Sequence, residues 1–75
     1  MNKPIVIFDS NHKILAVDDK VKVKDFGDKI FEVTDIVSKE NGFDIEVKSE
    51  DSTLILHKKP RTSMNYVVFN DITCI

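Results

Sequence analysis

Val21 and Val23 alternate with Lys20, Lys22 and Lys24. A two-residue period sets valines on one face of a strand and lysines on the other, so the pattern predicts a strand over Lys20–Asp25. Phe26-Gly27-Asp28-Lys29 follows as a turn, where Gly27 can take a positive φ that a Cβ would resist. Ile30–Val37 is a second strand whose phase breaks. Phe31 and Val33 share a face, yet the next position on that face is Asp35, and Ile36 falls on the other. A β-bulge near Thr34-Asp35 lets Phe31, Val33 and Ile36 all point inward and keeps the Asp35 carboxylate out of an apolar interior. Ser38-Lys39-Glu40-Asn41-Gly42 is a hairpin signal, with Asn-Gly as the source of positive φ. Phe43, Ile45 and Val47 then alternate with Asp44, Glu46 and Lys48, which predicts a half-buried strand.

Polar residues Ser49-Glu50-Asp51-Ser52 turn the chain into a strand over Thr53–His57. Lys58–Ser63 is a basic loop in which Pro60 stops a central strand from continuing. Tyr66–Phe69 is another strand. Asn70-Asp71 caps a tight turn, after which Ile72, Cys74 and Ile75 return to the core. At the other end, Pro4 suits the first residue of an edge strand. The unbroken run Ile5–Phe8 suits a strand with apolar neighbours on both faces. Asp9-Ser10-Asn11-His12 is turn chemistry, and Ile14–Val17 is a returning strand or a short bridge. No long stretch has a 3.6-residue period. Short strands separated by polar turns predict an all-β fold, a five- to six-stranded antiparallel small barrel or strongly bent sheet. Closing it would remove its exposed edges.

Length and composition narrow this further. Seventy-five residues, 41% hydrophobic and 32% charged, make one globular domain with room for one shallow core. The domain divides into a barrel body, Asp18–Ile75, and an N-terminal addition, Pro4–Val17. The net charge of −2 is not the basic footprint of a general nucleic-acid binder. The single cysteine, Cys74, permits no internal disulfide. With no signal-peptide core and no apolar stretch long enough to span a bilayer, the expectation is a cytoplasmic protein without membrane partners.

The body resembles the SH3-like small barrels. An acidic turn, Asp18-Asp19, leads into the V-x-V strand Val21-Lys22-Val23. The F-x-V-x-x-I strand follows as Phe31, Val33 and Ile36, then a tight hairpin and two more strands, with Asn70-Asp71-Ile72 where the family carries a one-turn helix. In make-up the chain is also similar to short phage and prophage products. The resemblance implies binding rather than catalysis, of a peptide, a nucleic acid or a partner subunit. A proline-peptide groove or a methyl-lysine cage needs several aromatics, and this chain has no Trp and only Tyr66.

Lys58, Lys59 and Arg61 form the one basic cluster. They are candidates for phosphate contacts, with Tyr66 or Phe26 stacking a base, and Lys20, Lys22 and Lys24 would extend the patch if they lie beside it. A solvated loop and a solvated strand face are the plainer readings. His12, His57 and Cys74 lack metal-ligand spacing, and Cys74 reads as a small hydrophobe. Asp18-Asp19 and Glu50-Asp51 are turn residues, since neighbours in sequence diverge in direction. No nucleophile motif, glycine-rich phosphate loop or cofactor site is expected. The expected function is therefore non-enzymatic: protein–protein interaction or self-assembly, with Ile5 and Ile7 on an exposed apolar edge. Nucleic-acid binding through the Lys58–Arg61 loop is the alternative.

Overall fold

A computed structural model describes residues 6–59 and 66–75. Ile5 and Arg61 lie outside them, as do Pro4 and Pro60. The described chain is all-β, with seven strands: β1 (Val6–Phe8), β2 (Lys20–Val23), β3 (Ile30–Lys39), β4 (Gly42–Lys48), β5 (Thr53–Lys58), β6 (Tyr66–Val68) and β7 (Ile72–Cys74). Five form one antiparallel sheet in the order β5-β4-β3-β2-β7. The other two, β1 and β6, pair in parallel. This differs from a five- to six-stranded antiparallel barrel in two ways. One pair is parallel, and no pairing joins β5 to β7 among the described residues, so the sheet stays open.

The bulge falls where the phase of the sequence breaks. β3 and β4 pair Val33 with Val47, then Asp35 with Glu46 and Ile36 with Ile45, leaving Thr34 as the extra residue. Phe31 and Val33 are fully buried, Ile36 packs against the core, and Asp35 is exposed. The displaced Thr34 hydroxyl donates to Glu46, to its carbonyl oxygen at 3.1 Å and its carboxylate Oε1 at 2.8 Å. The polar group that the bulge displaces is thereby satisfied.

The described part of the N-terminal segment contributes side chains to the core. Ile7 and Leu15 are core residues, packed with Val21, Val23, Phe31, Val33, Ile45, Val47, Val67, Phe69 and Ile72. Ile7 is only 8% exposed, so its side chain faces inward and adds no apolar surface to the outside. The Ile7 carbonyl accepts the Leu15 N–H, and the Phe8 carbonyl accepts the Phe69 N–H. The returning segment is reduced to one bridge, Phe8 to Ile14.

At the C-terminal end a turn replaces the one-turn helix that the family resemblance implies. The Ile72 N–H donates to the Phe69 carbonyl across Asn70-Asp71, and Ile72–Cys74 then pairs with β2. Ile72 is fully buried, while Ile75 is exposed. At the β3–β4 hairpin the loop is Glu40-Asn41, and the positive φ falls on Gly42 alone.

Candidate binding surface

The six described candidates of the basic patch, Lys20, Lys22, Lys24, Lys58, Lys59 and Tyr66, do not converge; the seventh, Arg61, lies outside the described residues. Lys20, Lys22 and Lys24 face solvent on and just after β2. Lys20 pairs with Glu32, and Lys22 with Asp28 at 3.6 Å. Lys58 ends β5, across the sheet from Phe43 and Ser38. Lys20 is level with Glu32, six positions back along β3 from Ser38, or ~20 Å at strand rise. Two further strands intervene. The lysine face and the Lys58–Lys59 end of β5 are therefore separate surfaces. Tyr66 leans on Phe8, ring centroids 5.8 Å apart, and Phe26 leans on Phe31 at 5.6 Å. Each ring already has an aromatic partner.

The two histidines and the cysteine occupy three different surroundings. His12 lies against Phe8. His57 bonds Asp44 through Nδ1 at 2.5 Å. Cys74 sits beside Asp9, its thiol pushed up to about 11 by burial first and the Asp9 charge second. Among the described residues no three His, Cys, Asp or Glu side chains group as metal ligands. The acidic pairs serve turns and ion pairs. Asp19 Oδ2 accepts the Ala16 N–H at 2.9 Å, and Asp51 holds Lys29 at 2.6 Å. The Lys29 hydrogen bond is the main reason the Asp51 carboxyl lies below its ordinary value, as the His57 bond is for Asp44.

What does distinguish one surface is how the sheet ends on its two sides. At β7 the outward backbone groups are capped. The Ser10 N–H donates to the Ile72 carbonyl at 2.8 Å, the Cys74 N–H donates to Asp9 Oδ2 at 2.8 Å, and the Ser10 and Thr73 hydroxyls meet at 2.6 Å. Asp9 makes this seal possible. Its fully buried carboxylate also accepts the Asn11 and Lys13 N–H groups on Oδ1, at 2.9 and 2.7 Å. Burial alone would raise its pKa, but these backbone donors outweigh burial and lower it. The turn chemistry of Asp9 is legible in the sequence; its reach to Cys74 is not, since nothing local signals a partner 65 positions away.

At β5 there is no such seal among the described residues. The Ser49 N–H donates to the Ser52 carbonyl at 2.8 Å. Counting along the antiparallel ladder from that pair turns the N–H and C=O groups of Thr53, Ile55 and His57 away from β4. The strand is regular, without proline or bulge, and its outer face carries Ile55, 65% exposed. Leu54 and Leu56, half-buried, line its inner face.

Compared with protein families, curated proteins and solved structures, the chain shows no significant match. No helix in the described residues is long and apolar enough to cross a membrane.

Proposed function

We propose that this chain is a non-enzymatic binding module that engages protein partners through the outer edge of β5. One observation carries the reading: one end of the sheet is sealed by Asp9 and Ser10, while the other presents a strand whose outer edge no described residue pairs, with Ile55 exposed. An edge of unpaired N–H and C=O groups is a template for an added strand. The main-chain bonds supply affinity, and the side chains at Leu54, Ile55 and Leu56 supply selectivity. After Asp18-Asp19, four successive strands with a last strand returning beside the first also support an SH3-like reading, a class used for binding. With one thiol and no internal disulfide, we place the protein in the cytoplasm. The nucleic-acid reading rests on the Lys58–Arg61 loop, with Lys58, Lys59 and Arg61, without help from the β2 lysines, and is the weaker of the two.

An array of extended peptides tests the main reading. Wild-type chain is expected to bind a subset of apolar, β-branched sequences, and Ile55→Lys to weaken those by about tenfold or more. Equal binding by the two proteins would overturn it.

A further inference from the structure

We infer that the partner fitted by β5 is a second copy of this chain, added antiparallel about a two-fold axis at Ile55; this deepens the binding-module reading and rests on it. The sequence of the edge is complementary to itself in reverse. It begins acidic, Glu50-Asp51, passes through Leu54-Ile55-Leu56, and ends basic, His57-Lys58-Lys59. Two copies of such a strand attract when antiparallel and repel when parallel.

The register follows from three constraints. A two-fold axis perpendicular to the sheet keeps each face continuous, so residues of like parity must oppose one another. The backbone groups available are those of Thr53, Ile55 and His57, so these must form the hydrogen-bonded pairs. Placing Ile55 against Ile55 of the second copy satisfies both and sets Thr53 against His57 of the second copy. The third constraint is side-chain matching. In this register Leu54 opposes Leu56 of the second copy, and the turn that carries Asp51 comes level with Lys59 of the second copy, just beyond the end of β5, twice by symmetry. A shift of two residues toward Leu56 sets Ile55 against His57 and Leu54 against Lys58; a shift of two toward Leu54 keeps acid near base, Asp51 by His57 and Glu50 by Lys58, but sets Ile55 against Thr53 and loses the apolar Ile55 pair. Among the described residues neither Lys58 nor Lys59 has a carboxylate partner within the chain. Asp51 is already exposed at the turn and held by Lys29, with room to face a second cation. The result is a ten-stranded sheet running through both copies.

One strand per copy is a small contact, which places the dimer in the weak, concentration-dependent range. Sedimentation equilibrium on the full chain, up to about 500 µM, reads it directly. Wild type is expected to dimerise. Ile55→Lys, which sets like charges on the axis, should raise the dissociation constant about tenfold or more. Because Ile55 is 65% exposed in the single chain, the variant should keep the wild-type circular dichroism. Lys59→Asp and Asp51→Lys should each weaken the dimer about fivefold, and the double swap should restore it. If Ile55→Lys does not fold, the charge swaps at the strand ends carry the test. A monomer at the highest concentration overturns the inference, as does a dimer indifferent to Ile55→Lys or one that the double swap fails to rescue. A monomer that still binds extended peptides through β5 would sink self-pairing alone and leave the binding-module reading standing.

Discussion

Asp9 illustrates how much one side chain can hold. Its two oxygens take three backbone donors, from Asn11, Lys13 and Cys74. Asp9→Asn keeps the Oδ1 contacts but turns an amide donor toward the Cys74 N–H, leaving two buried donors in opposition. The expected loss is about 2 kcal/mol or more, read by urea denaturation; a loss under about 0.5 kcal/mol would mean that the seal on β7 contributes little. Gly42 is constrained in a different way. Its φ is +141°, and a Cβ there would sit 2.3 Å from the Lys58 carbonyl oxygen. Gly42→Ala meets both backbone strain and a clash with backbone that cannot swing aside. It should destabilise the chain by more than about 2 kcal/mol and raise amide exchange first along β5. Cys74, with its thiol pushed up from 9.0 to about 11, should react with a disulfide reagent at pH 8 about a hundredfold more slowly than the same thiol in the urea-unfolded chain.

Elements were legible to different depths. Strand periods and the bulge could be read because they are local: a two-residue alternation and a single slip in its phase decide them. The bulge makes a sharp prediction. Deleting Thr34 leaves Val33, Asp35 and Ile36 opposite Val47, Glu46 and Ile45, so every core residue keeps its face. That variant should fold, with a loss of about 1 kcal/mol for the Glu46 contact and the lost bend. Deleting Glu32 instead puts Phe31 and Val33 on opposite faces, and should abolish cooperative thermal unfolding. Comparable melting curves for the two deletions would contradict the register. What could not be read was which strand meets which. The run Ile5–Phe8 looks the same as a buried strand or an exposed edge, and only the partner β6 decides for burial. Likewise nothing within Thr53–Lys58 says that no other described strand pairs with its outer side. The candidate lysines failed to merge for the same reason: their separation is set by the strand order.

At the scale of the molecule, acid acts on the ends of the sheet together. The folded pKa of Asp9 lies below 3.8, so its contribution to stability is complete above the pH where an unfolded aspartate titrates. It is lost as pH falls through the folded value. Asp44 and Asp51 shift in the same direction. The melting temperature should therefore hold steady from pH 7 to 5 and fall between about pH 4 and 2. The Asp9→Asn profile should start lower and fall less over that interval. A parallel decline of the two would locate the acid sensitivity elsewhere.

The parallel pairing of β1 with β6 has a consequence in time as well as space. Val6–Phe8 waits for Tyr66–Val68, and the Asp9 carboxylate waits for Cys74. Before Tyr66–Cys74 is in place the β2–β5 meander can form, but β1 lacks its strand partner and the Asp9 carboxylate lacks the Cys74 N–H. Joining such distant segments demands a large loss of chain entropy before any contact is gained. Folding should accordingly be slow for a domain this small, in milliseconds to seconds by stopped-flow fluorescence of Tyr66, with the meander formed early and the clasp of the two ends last.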